Sequence, residues 1–223
     1  NDPLYLHQLH LKNTGQSGDP QTTGHDANLE PAWDRVTGAG VNICITDDGL
    51  EIAHPDLTAN ARPGLSLDLV DDDNNPTAGD HGTCCAGVAA AKGDNAQGVA
   101  GAAYDAGLIG VRLFGFAAVP DSDEATAMAH QTAPADPADR ADINSNSWGP
   151  ADDGRRLETF GPLTRLAIER ATVVGRGGLG TVFVWAGGNG RAYGDRVNYD
   201  GYASSRFTIA VAASTDGGVY SHY

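Results

Sequence analysis

Lysine is nearly missing from this sequence, and cysteine and methionine are sparse. Only two of the fourteen basic residues are lysines, Lys12 and Lys92, and the 223 residues carry a formal net charge of −15. Such a balance excludes nucleic acid as a partner, because phosphates are bound through clustered cations. It suits cationic partners, either calcium or a polypeptide rich in Arg and Lys. Salt-adapted solubility is the other reading of the same charge. The three cysteines, Cys44, Cys84 and Cys85, are odd in number and lack CxxC spacing. Neither a disulfide framework nor a cysteine metal site is expected from them. No apolar run reaches the length of a membrane span. No signal-like segment is seen at Asn1; removal by processing and a sequence taken without it are the two readings.

What is present is a glycine-rich globular composition, with 30 glycines and 40 % hydrophobic residues. The length suffices for one large domain with a sizeable core. Short apolar runs alternate with helical patterns, which points to an α/β fold. The first run, Val41–Leu50 (VNICITDDGL), is β-branched and too short for a helix, and it stops on Asp47-Asp48-Gly49. Further strands are expected at 107–114, 143–148, 181–186 and 207–214. Residues 28–36 read as a short helix, with Asn28 as its cap and Pro31 in its first turn. Residues 79–91 (GDHGTCCAGVAAA) read as a loop that becomes a small-residue helix capped by Thr83. Helical periodicity also covers 121–132, and 162–174 with Leu163, Leu166, Ala167 and Val174 on the apolar side. Residues 68–75 (DLVDDDNN) form an acidic loop with four aspartates in eight residues. No repeat, low-complexity tract or linker divides the chain.

Three of these element ends carry reactive groups. In a parallel sheet chemistry collects at the C-terminal ends of strands, and there the first run presents Asp47. Alone, the Asp-Asp-Gly is equally read as a solvated turn. His81 opens the small-residue helix. A carboxylate can fix an imidazole's tautomer so that the imidazole takes a proton from a nucleophile. Asn189 lies between glycines in AGGNG, where a substrate backbone can approach and the amide NH2 can stabilise an oxyanion. An ordinary left-handed turn is the alternative for Asn189.

The motifs around these residues are DDG at 47–49, HPDL at 54–57, HGTCCAG at 81–87, SWGPADDG at 147–154, FVWAGGNG at 183–190 and YDGY at 199–202. With them the whole sequence resembles the subtilisin-like serine proteases, and most closely their kexin/furin branch. The resemblance implies a three-layer α/β fold, with a mostly parallel sheet and helices on both faces. It implies a triad carboxylate at Asp47, a triad base at His81 and an oxyanion amide at Asn189. By the same resemblance Asp48 meets a basic P2 side chain. Asp152 and Asp200 select P1 Arg or Lys, Glu158 and Tyr202 fall near the S4 region, and Ser147, Trp148 and Gly149 form an edge that pairs with extended substrate. Paired carboxylates suit a buried guanidinium, because an unpaired charge there is costly. Cys85 resembles a free thiol that the family keeps beside the catalytic His.

Calcium is the implied cofactor, since hard cations take clustered oxygen ligands. Asp2, Asp56, Asn95 and the carbonyls of Lys92, Gln97 and Val99 match one site. Asp68 and Asp73, with Asn75, match a second, and Asp152 and Asp195 a third. The sequence also departs from the family. Its nucleophile is a Ser in a GTSxA motif, which does not occur here. Residues 1–223 are therefore expected to be the N-terminal part of a catalytic domain, with its remainder and a C-terminal β-sandwich domain outside them. Val197 and Tyr199 stand where furin has disulfide cysteines, Asp80 precedes His81, and the loop Phe114–Asp123 is longer and more apolar.

The expected function is a calcium-dependent serine endopeptidase that cleaves after basic, preferably dibasic, sites. Peptide or protein substrates rich in basic residues, and a propeptide or chaperone, are the expected partners. A secreted or periplasmic location follows from the family. Two rivals remain: an inactive fragment that binds only peptide or calcium, and a degradative protease of broad specificity. Asp48, Asp152 and Asp200 argue against the latter.

Overall fold

In the computed structural model, which describes residues 2–16, 18, 22–77 and 79–223, strand β1 (Asn42–Asp47) lies inside a sheet and is buried along its whole length. Its apolar side chains face both ways, as in a parallel strand covered on two sides. The other strands are β2 (Leu67–Asp68), β3 (Gly107–Arg112), β4 (Ile143–Asn146), β5 (Val182–Ala186) and β6 (Thr208–Val211). They form one six-stranded sheet in the order β2-β3-β1-β4-β5-β6, and every pairing is parallel. All strands therefore end at one edge, and Asp47 lies at that edge opposite Arg112.

Period-two alternation divides the core into two layers. Ile43 and Ile45 of β1 and Leu108 of β3 pack against Ala86 and Ala90 of helix α2 (Asp80–Ala90). Cys44, Ile109 and Val111 face the other way, in a cluster with Met128, Ile168 and Trp185. That second layer is built by helix α3 (Asp121–Ala129) and helix α4 (Pro162–Gly178). The result is the three-layer α/β architecture. No helix among the described residues is long and apolar enough to cross a membrane.

Several local expectations are corrected. The first helix, α1, is a single turn, Glu30–Trp33, preceded by Leu29, and Asn28 takes a left-handed φ of 49° instead of capping it. Thr83 lies inside α2, where its hydroxyl donates to the carbonyl of Gly79 and accepts from the Glu51 amide. The apolar side of α4 is also displaced. Leu163, Leu166 and Val174 are exposed, and the buried stripe is Thr164, Ile168, Ala171 and Gly175. Regular helical geometry ends before Gly175, whose ψ is 157°. Small residues on the inner side let α4 lie close to α3. The Asp121 carboxylate of α3 accepts from the amides of Leu163 and Thr164, each at 2.9 Å. The first turn of α4 is thus capped by a neighbouring helix, because Gly161 before it has no side chain to do so.

Candidate active site

The sheet edge and the start of α2 bring Asp47 and His81 together. His81 Nδ1 lies 2.8 Å from Asp47 Oδ1. Asp47 is only 3 % exposed, and its Oδ1 also accepts from the Asp48 amide at 2.8 Å. Its Oδ2 is buried and has no partner among the described residues. Burial pushes the Asp47 carboxyl above its ordinary value, against the opposing bond from His81. The same carboxylate holds the His81 imidazole above its ordinary value. The His81 side chain remains 57 % exposed, so the ring is anchored on one nitrogen and open to solvent.

Gly82 makes this approach sterically feasible. A Cβ there would lie 2.1 Å from the Gly49 carbonyl oxygen and 2.8 Å from Asp47 Cβ. The Asp48 carboxylate accepts from the Gly82 amide at 2.8 Å and from the His81 amide at 3.3 Å. It thereby caps α2, whose own preceding residue is Gly79. Cys85 Sγ is 4.0 Å from His81 Nδ1. Among the described residues, Asp47, His81 and Cys85 are the one group of three His, Cys, Asp or Glu side chains with ligand atoms within 4.8 Å of one another.

A pocket of about 90 Å³ opens beyond the ends of β4 and β5 and is lined by Ser147–Asp152, Ala186–Asn189 and Asp200, among others. Asp152 Oδ1 accepts from the Asn189 amide at 3.0 Å. Gly188, with φ of 82°, permits this approach, since a Cβ there would sit 2.6 Å from the same oxygen. Asp200 Oδ1 accepts from the amides of Tyr202 and Ala203. Burial raises the Asp200 carboxyl, and the nearby charges of Asp152 and Asp195 add to the rise. No ion pair involves Asp152 or Asp200 among the described residues. The pocket can therefore take a cationic group.

The family model described as subtilase (peptidase S8) matches residues 38–223. The chain belongs to the subtilase family. It is 43 % identical over 221 residues to Endoprotease bli-4 of Caenorhabditis elegans, covering 96 % of this chain and 22 % of that protein. It is 39 % identical over 227 residues to Neuroendocrine convertase 2 of Homo sapiens, covering 98 % of this chain and 34 % of that protein. A crystal structure of Aeromonas sobria serine protease in complex with the chaperone ORF2 superimposes with a TM-score of 0.81 at 30 % identity. That match covers all of this chain and 40 % of the other. The subtilase chain thus spans about a third or less of the curated relatives named here.

The remaining expected positions divide into those this subtilase assembles and those it does not. Ser147, Trp148 and Gly149 line the pocket but lie beyond the end of β4. Trp148 is held by its indole N–H, which donates to the Thr46 carbonyl at 2.9 Å. Tyr202 does not line the pocket. It is buried against Trp148, Trp185 and Phe160, and its hydroxyl donates to Glu124 at 2.9 Å. Glu158 does line the pocket, and the backbone bonds Glu158 N–Tyr199 O and Gly201 N–Glu158 O set it beside Asp200.

The three expected calcium sites differ in the same way. Asp2 and Asp56 are both buried and converge on the loop 92–99. Asp2 accepts from the Asp94 and Asn95 amides, and Asp56 from the Asn95 side chain and the Val99 amide. The carbonyls of Lys92, Gln97 and Val99 accept no hydrogen bond among the described residues, and the Lys92 ammonium turns away to Asp105. Two buried carboxylates with no cationic partner among the described residues, beside free carbonyls, fit a hard divalent cation. Asp68 and Asp73 do not. Asp68 Oδ2 is 2.8 Å from Arg112, which also pairs with Asp71, and Asp68 Oδ1 serves the Val70 and Asp71 amides. Asp73 Oδ1 accepts from the Asn75 amide. A guanidinium supplies the positive charge a metal was expected to bring. Asp152 and Asp195 lie together around Gly190, and Asp200 is near enough to feel both charges, but among the described residues the three do not bring their carboxylate oxygens within 4.8 Å of one another.

Proposed function

We propose that this subtilase chain carries the base and the specificity pocket of a serine endopeptidase that cleaves after basic, preferably dibasic, sites. The observation that supports it is an acidic pocket, with Asp152 and Asp200 in no ion pair among the described residues, at the sheet edge that also carries the Asp47–His81 pair. Asp47 Oδ1 accepts from Nδ1–H of His81, which leaves Nε2 to take the proton of a nucleophile and return it to the leaving amine. No serine hydroxyl bonds to His81 among the described residues. The nucleophile is assigned to a serine of the protein outside residues 1–223. The Asn189 side chain stabilises the oxyanion. Asp152 and Asp200 bind the P1 guanidinium or ammonium, and Asp48 adds negative charge on the P2 side while it caps α2. Relatives named as endoprotease and convertase support the same reaction class, as does the surplus of negative charge.

Substrates differing only in P1 test this reading. The full-length protein is expected to give a kcat/KM for P1 Arg at least 100-fold above that for P1 Phe. Equal rates would point to a degradative protease of broad specificity instead. A propeptide or chaperone, a C-terminal β-sandwich domain and a secreted or periplasmic location complete the proposal.

Calcium belongs to it at one site. Asp2, Asp56, Asn95 and the carbonyls of Lys92, Gln97 and Val99 would hold the ion, which supplies the charge that the two buried carboxylates lack. Removal of calcium with excess EDTA is then expected to lower Tm by several degrees, because a ligand bound only to the folded state stabilises it. An unchanged melt would remove calcium from the proposal.

A further inference from the structure

The pocket contains cations of its own. Besides Asp152, Glu158, Asp195 and Asp200, its lining includes Arg156 and Arg196. Arg156 is held in a defined place. Its Nε donates to Asp153 Oδ2 at 2.9 Å, and one terminal nitrogen lies 3.9 Å from Glu158 Oε1. The turn beneath it is fixed too, because Asp153 Oδ1 accepts from the Arg155 amide at 2.8 Å. Its guanidinium therefore lies between Asp153 and Glu158, where an incoming basic side chain would otherwise meet two carboxylates.

The pocket divides electrostatically into two halves. On the inner side, Asp152 and Asp200 are bonded only to backbone amides and keep their charge for a ligand. On the outer side, Glu158 stands next to Asp200 along the backbone, yet Arg156 answers its charge. We propose that Arg156 is a specificity-determining residue, an internal cation that partly neutralises Glu158 so that the site does not reward a further basic side chain upstream of the P2–P1 pair. This rests on the reading of the chain as part of a basic-site endopeptidase. Arg156 is 63 % and Glu158 35 % exposed, so the pair is partly screened and the effect is a bias in specificity, not a switch of activity.

The test uses full-length protease and peptides with a fixed Lys-Arg at P2–P1. Arginine or alanine is placed in turn at each of the third to sixth positions before the cleaved bond. For wild type, the Arg/Ala ratio of kcat/KM is expected to stay near one at every position. For Arg156→Ala it should rise roughly two- to fivefold at one position, the range of a partly exposed ion pair. Adding Glu158→Gln should return the ratio to one, and Arg156→Gln should repeat the gain with a polar but uncharged side chain in place of the guanidinium. A wild type that already favours a further upstream arginine, or an Arg156→Ala ratio that does not move, overturns the role of Arg156 alone. A wild type that cuts after Phe as readily as after Arg overturns the underlying reading and this one with it.

Discussion

Asp47→Asn is expected to lower kcat by about 10⁴-fold while the protein stays folded, the loss seen when the buried carboxylate of a Ser-His-Asp triad is neutralised. The asparagine keeps the shape of a side chain that is almost fully enclosed. It removes the negative charge that holds Nδ1–H of His81 at 2.8 Å and puts an NH2 donor in place of one carboxylate oxygen. The pH profile gives an independent sign. His81 is held above its ordinary value chiefly by its hydrogen bond to Asp47, and only the neutral imidazole serves as base. Activity therefore rises as pH climbs through the His81 pKa. Without the carboxylate that pKa falls, and the acidic limb of kcat/KM should move to lower pH. A variant with wild-type kcat, or with an unmoved acidic limb, would separate Asp47 from the chemistry.

Gly82→Ala tests the same site through packing. The added methyl would meet the Gly49 carbonyl oxygen at 2.1 Å and Asp47 Cβ at 2.8 Å. Both obstacles are tied to β1, so α2 must shift. Overpacking of this kind costs roughly 1–3 kcal/mol. For a chain of this length that corresponds to a Tm drop of roughly 2–12 °C. The shift also moves His81 away from Asp47 and breaks the Asp48 bond to the Gly82 amide, so kcat should fall well beyond what the melt accounts for. Thermal melting and steady-state kinetics on one preparation check both halves. Wild-type values for both would mean that the close approach of helix and strand is not needed.

Where sequence and structure agree, short-range pattern is the reason. The β-branched run of β1 reads as a buried strand ending on Asp47, His81 reads as the opening of a small-residue helix, and the family resemblance implies that the two meet. The disagreements come from contacts distant along the chain. Nothing near Asp68 announces Arg112, 44 residues away, and the acidic loop reads as a metal site until that guanidinium is placed. Asp48 has a second task, the capping of α2, that no residue near it announces. In α4 the larger apolar residues Leu163 and Leu166 face outward while Thr164 and Ala171 go inward. Hydrophobicity alone ranks these the wrong way round, because the inward stripe combines small residues with the large apolar Ile168, and tertiary packing decides which side of the helix turns in. Tyr202, expected near the S4 region, has its hydroxyl bonded to Glu124 inside the protein, a partner 78 residues away. Arg156 sits two residues from Glu158 and was still missed, since a charged residue in a turn carries no local sign of which carboxylate it will face.

The capping of α4 by Asp121 has a dynamic corollary. The amides of Leu163 and Thr164 keep their protection only while α3 is in place, and Tyr202 reaches into the same helix through Glu124. In hydrogen–deuterium exchange these amides should therefore open together with α3 as one cooperative unit and not fray as an ordinary helix end. Loosening that unit would free the tyrosine that adjoins Asp200, so the breathing of a surface helix pair and the rigidity of the acidic pocket share one free-energy scale.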